Sequence, residues 1–148
     1  RTWPINYKID NLFFVHGYPK DNVEDYIDLI TKDEMINIFK NISSSIIFVG
    51  HTHLLALYIF DSFNIKKVPF SEYSYIIDPR FKYIINTGNV GQPRDENKNA
   101  NYLIFNTRSN EIIKRSLSYN FHKTVLKLKK HKFPLENIKI FLNENWNK

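Results

Sequence analysis

Apolar residues fall into short runs closed by glycine or polar turn residues, and the spacing within each run predicts an element. "NLFFVHG" (11–17) and "SSIIFVG" (44–50) are continuous apolar stretches of strand length, each ended by glycine, and read as buried strands. Between them, from Val23 to about Ile42, apolar positions recur at helical spacing. Tyr26, Ile27 and Ile30 form one set; Met35, Ile38, Phe39 and Ile42 form another. This predicts two helices or one broken helix, with Thr31 as the second N-cap and Asp33 and Glu34 in its first turn. The unit is therefore strand, helix, strand, and in open α/β sheets ligands sit beyond the carboxyl ends of strands.

Downstream the period shortens. "LALYIF", "IKKVPF", "KYIINTG", "NYLIFNT" and "EIIKRSLSY" are β-rich runs separated by turns, which predicts hairpins and an antiparallel sheet. "NVGQPRDENKN" (89–99) is polar and turn-prone, the composition of a functional loop. The last 30 or so residues turn helical, with Phe121, Val125 and Leu128 on one face and a short final helix starting near Pro134.

At 148 residues the chain has the size of one domain, and 43% apolar residues suffice for a core. No apolar stretch reaches the ~18 residues of a membrane helix, so no membrane partner is expected and a cytoplasmic setting is. With no cysteine, disulfides and thiolate sites are excluded, and any metal must be held by His, Asp, Glu or Asn. The net charge of +6 invites a nucleic-acid reading. Isoleucine, asparagine and lysine, all with A/T-rich codons, make up over a third of the chain, so codon bias accounts for much of that charge. The lysines of "HKTVLKLKKHK" read as a solvated helix face, and a nucleic-acid partner is not expected.

Two of the five histidines flank one threonine in "GHTH", just after the second strand. If that segment is extended, His51 and His53 point the same way, and Gly50 lets the chain turn without a Cβ clash. His16 ends the first strand, so three imidazoles come from adjacent strand ends, a donor set suited to Zn, Mn, Fe or Ni. His122 and His131, on the basic C-terminal helix, read as surface residues.

"FFVHGYPKDN", "IIFVGHTHLL" and "KYIINTGNVGQPRDENKNANYLIF", in that order, resemble the later motifs of calcineurin-like metallophosphoesterases, in particular the small bacterial phosphodiesterase group. The resemblance runs from about residue 3 to 146. It implies an α/β (α+β) four-layer αββα sandwich of two sheets flanked by helices, here without its N-terminal strands. It also implies two divalent metal ions, Mn, Fe or Zn, with His16 and His51 on one and His53 on the other, and a bridging hydroxide that attacks phosphorus in line. The expected substrates are phosphate mono- or diesters, including those of nucleotides. His53 then serves catalysis through its metal, and Arg94 is the candidate phosphate contact, although an Arg94 that only braces its loop fits the same sequence.

The family's Asp-x-His, bridging-Asp and Gly-Asn-His motifs do not occur here, Tyr18 stands where serine is usual, and Thr87-Gly88-Asn89 stands where Pro-Gly-Ser is usual. The reading is therefore that residues 1–148 are the C-terminal portion of a single metallophosphoesterase domain, whose remaining motifs lie before residue 1. A neutral imidazole cannot bridge two cations, and Asp95 is the one nearby carboxylate considered as an in-chain substitute. A chain lacking those first strands is expected to leave sheet edges open and to fold poorly unless the missing segment is supplied. The alternative function is a non-catalytic, protein-binding scaffold on the same fold.

Overall fold

A computed structural model describes residues 4–19, 24–68, 70, 73–94 and 98–142. Its larger sheet has six strands in the order β1-β2-β3-β7-β4-β5. The inner strands β2 (Leu12–Val15), β3 (Ile46–Val49) and β7 (Lys82–Thr87) run parallel. All four residues of β3 are buried, as expected of a continuous Ile/Val/Phe run covered on both faces. β4 (Leu55–Phe60) lies antiparallel to β7, with β5 (Ile65–Val68) beyond it. β1 (Asn6–Ile9) pairs antiparallel with β2 at the opposite edge.

Helix α1 (Lys32–Asn41) links β2 to β3. It begins at Thr31, whose side chain accepts from Glu34 N–H while the Glu34 carboxylate accepts from Thr31 N–H, a reciprocal capping box. At the other end Lys82 Nζ donates to Phe39 O (2.7 Å) and Ile42 O (2.8 Å), which satisfies carbonyls the helix itself leaves open. Met35, Ile38 and Phe39, at i, i+3 and i+4, bury against Val15, Ile47, Val49, Tyr58, Phe60 and Ile84 on one face of the sheet.

A second sheet, β6-β9-β8, covers the opposite face; its strands are β6 (Ser74–Ile76), β8 (Ala100–Asn106) and β9 (Glu111–Leu117). Ile112, Leu103 and Phe105 meet Ile46, Phe48, Leu57, Tyr83 and Ile85 there. The coverage stops at β3. Phe105 sits 6.1 Å from Phe48, but Phe14, stacked on Phe48 at 5.0 Å, is exposed, as are Tyr7 beside it and Ile9. Helices α2 (Phe121–Lys130) and α3 (Leu135–Leu142) pack on each other through Val125, Ile138 and Phe141.

These layers bear out the α+β, strand-helix-strand and hairpin expectations. Four details differ. The first apolar run is a strand but not a buried one: in β2 only Val15 is buried and Phe14 is exposed, because the second sheet does not reach it. Only the second of the two helices expected before Ile42 forms, and residues 27–29 are a turn. The β-rich region is not wholly antiparallel, because β7 joins the parallel strands and only β6, β8 and β9 make a separate sheet. The strands β1 and β6 give no strong sequence signal, β1 being short and exposed and β6 only three residues long. No helix among the described residues is long and apolar enough to cross a membrane.

Candidate functional site

Because β2 and β3 are parallel neighbours, their carboxyl ends emerge side by side, and Gly50 N–H extends the ladder by donating to His16 O (2.8 Å). From Gly50 the chain must reach β4, which lies beyond β7, so residues 50–54 arch over the end of β7. The sharp bends of that arch fall on His51 and His53, both left-handed at φ 62°. Histidine enters this region more readily than most residues, yet it still costs about 1–2 kcal/mol for each. The expectation of an extended segment turned by Gly50 is thus corrected: Gly50 is not left-handed, and the histidines themselves turn the chain.

The imidazoles consequently reach different partners. His51 Nδ1 lies 3.2 Å from His16 Nε2, with the rings edge to face. His51 Nε2 lies 2.9 Å from Glu24 O. A carbonyl can only accept, so Nε2 carries the proton, and in the neutral ring Nδ1 offers its lone pair toward His16. His53 Nδ1 likewise donates to Gln92 O (2.8 Å), which leaves Nε2 as the free lone pair. Burial pushes the His53 pKa below the usual histidine value. The Gln92 carbonyl opposes that shift, while the nearby Arg94, His16 and His51 add to it. A neutral ring with one N–H tied to a carbonyl is the state in which histidine binds a metal.

These donors fit part of a metal site. Two nitrogens on one tetrahedral ion at ~2.0–2.1 Å stand about 3.3 Å apart, close to the His16–His51 separation. The fit ends there, since among the described residues no three His, Cys, Asp or Glu side chains converge as a metal-holding group. Asp95, the candidate in-chain carboxylate, lies outside the described residues.

Tyr26 packs on His51 (4.4 Å between ring centroids), and the Arg94 guanidinium lies over the other residue's ring, 5.3 Å from the centroid of Tyr26. Sequence reading assigned Tyr26 to a helix core; its place beside His51 follows from residues 27–29 forming a turn instead. Glu24 and Gln92 contribute through backbone carbonyls, which no side-chain pattern reveals. Tyr18 packs against the core beside α1.

The chain matches no protein-family model. It is 30% identical over 130 residues to an uncharacterized protein of Methanocaldococcus jannaschii, a match spanning 87% of this chain and 50% of that one. Its fold superposes on the crystal structure of a metallophosphoesterase from Sphaerobacter thermophilus with a TM-score of 0.79 at 24% identity, covering 94% of this chain and 57% of the other. The fold is that of a metallophosphoesterase. A hypothetical protein from Pyrococcus horikoshii matches with a TM-score of 0.59 at 17% identity, over 93% of this chain and 50% of that one. The chain thus spans about half the length of the relatives it matches.

Proposed function

We propose that residues 1–148 form the C-terminal portion of a two-metal phosphoesterase domain. His16 and His51 hold one divalent ion and His53 the other, Arg94 contacts the substrate phosphate, and the bridging carboxylate comes from polypeptide outside these residues. The observation that carries this reading is the 3.2 Å approach of His16 Nε2 and His51 Nδ1, with the remaining nitrogen of His51 tied to the Glu24 carbonyl. Bound metal ions would offset charge on the phosphoryl oxygens and activate a nucleophile. The chain's own part is to aim the imidazoles and, by burying His53, to favour its neutral form. Arg94, with Tyr26 between it and the His51 side of the site, offers a fork that matches a phosphate dianion or diester.

Elemental analysis of the chain purified without chelator, combined with hydrolysis of bis(p-nitrophenyl) phosphate in Mn²⁺ or Zn²⁺, tests the proposal. Substoichiometric or single metal uptake that disappears in His51→Ala is expected, with hydrolysis only when the rest of the domain is present. Metal uptake that is indifferent to His16, His51 and His53 would overturn the assignment.

A further inference from the structure

Two left-handed histidines within three residues need something outside the loop to hold them. The loop's one fully buried residue is Thr52, and its hydroxyl accepts a hydrogen bond from the side chain of Asn86, also buried. Asn86 Nδ2 also donates to Gly50 O (3.2 Å), and Asn86 Oδ1 accepts from Gly88 N–H (3.2 Å). The amide orientation is forced, because a carbonyl must face the NH₂ and a backbone N–H must face the oxygen. Thr52 N–H adds a bond to the same Gly50 carbonyl (2.7 Å), and Leu54 N–H donates to Thr52 Oγ1 (3.2 Å).

Asn86 can do this because of where it stands. It lies on the central strand β7, opposite Val49 of β3 on one side and Ala56 of β4 on the other, directly beneath the arch that joins those strands. Its amide therefore joins two loops. One carries His51 and His53; the other begins at Gly88, left-handed at φ 78°, and brings Gln92 O to His53.

We infer that Asn86, acting through Thr52, is a positioning residue that fixes the backbone of the histidine pair and, by holding both loops in register, selects the His53 tautomer with Nε2 free. The metal-binding consequence rests on the function proposed above; the tautomer consequence does not.

The test is a side-chain ¹⁵N–¹H NMR spectrum of the metal-free chain, followed by Zn²⁺ titration, for wild type, Asn86→Asp and Thr52→Val. Asp keeps the shape and the acceptor but, ionised, donates nothing; Val keeps the shape of threonine without the hydroxyl. In the folded fraction of either variant, His53 is expected to lose its single Nδ1–H tautomer, and Zn²⁺ affinity to fall about 10–100-fold, as for other groups that orient metal ligands. Should Asn86→Asp not fold, Thr52→Val alone decides, since it leaves the bonds to Gly50 and Gly88 intact. Unchanged His53 tautomer signals in the folded variants would overturn the inference, even if their melting temperatures drop. A wild type with one His53 tautomer and no Zn²⁺ binding would instead sink the metal assignment and leave the positioning role standing.

Discussion

The left-handed conformation of His51 and His53 predicts a reversal of the usual order of glycine and alanine. Both His→Gly and His→Ala delete the imidazole and its hydrogen bonds, so the difference between them at one site isolates the backbone. At φ 62°, alanine pays about 1–2 kcal/mol that glycine does not. Glycine loses about 0.5–1 kcal/mol more conformational entropy on folding. Glycine should therefore be the more stable variant by about 0.5–1 kcal/mol at each site, and by about 1–2 kcal/mol for the double variant. At ~2.1 cal/mol/K per residue, 148 residues unfold with an entropy of about 0.3 kcal/mol/K, so the double variants should differ by about 3–6 K in Tm. Leu54, in the same arch but without a positive φ, is the control, where alanine should be favoured over glycine. Urea and thermal unfolding in the presence of a chelator would measure all three sites. If alanine matches or exceeds glycine at both 51 and 53, the histidines do not turn the chain and the strain assigned to the loop is absent.

Metal binding should show in stability as well as in stoichiometry. An ion at about 100 times its Kd adds ~2.7 kcal/mol, a rise of about 9 K for this chain in thermal scans, and the rise should vanish in His51→Ala. Asp78 gives a pH signature: its hydrogen bonds from the Arg80 side chain, then from Arg80 N–H, lower its pKa from 3.8 to about 2. A depressed folded pKa stabilises above the unfolded value and is lost as pH falls through the folded one, so between about pH 4 and pH 2 wild type should lose stability faster than Asp78→Asn. Equal acid limbs in the two proteins would show that the pair is unformed. The exposed strip of Tyr7, Ile9 and Phe14 should bind a hydrophobic dye such as ANS, and Tyr7→Ser with Phe14→Ser should cut that fluorescence severalfold; an unchanged signal would place the dye elsewhere.

The parts of this fold that could be read from sequence are those where one residue pattern has one physical outcome. The apolar runs LFFV and IIFV both form strands, although only the second is buried throughout, and Thr31 with Glu34 three residues on can satisfy a helix start in one way. The parallel place of β7 was not readable, because "KYIINT" pairs equally well with β3 and with β4 and in fact does both. Nor was the geometry of GHTH. Alternation argues for parallel imidazoles in an extended segment, but the loop has to cross the end of β7 within five residues, and that tertiary demand sets the dihedrals. The same crossing turns Asn86 from an ordinary strand residue into the group beneath the loop. Its role depends on which strands flank it, a fact that spacing along the chain does not contain.

Those energetic details bear on whether the fold is a catalyst or a binding scaffold. Left-handed non-glycine residues also occur at Asp10, Ser62, Asn110 and Lys132, so that conformation alone does not separate a catalyst from a scaffold; what sets His51 and His53 apart is the buried Asn86 amide beneath them, satisfied by Thr52 and two backbone groups. On the function proposed above, that arrangement serves to project the two side chains to fixed points, as ligands require. Other groups around the loops are unfinished. Both amide atoms of buried Asn89 lack a partner among the described residues, at a cost of ~1–3 kcal/mol, and the second sheet leaves the β1–β2 face bare beside His16. A cleft of about 660 Å³ runs there from Ile5, Tyr7 and Phe14 to His16, Gly50 and Thr87, so polypeptide that covered the apolar strip would end next to the histidines. On the function proposed above, covering that face and completing the ligand set are one requirement rather than two, and metal uptake by these residues alone should be partial, with hydrolysis only when the rest of the domain is present.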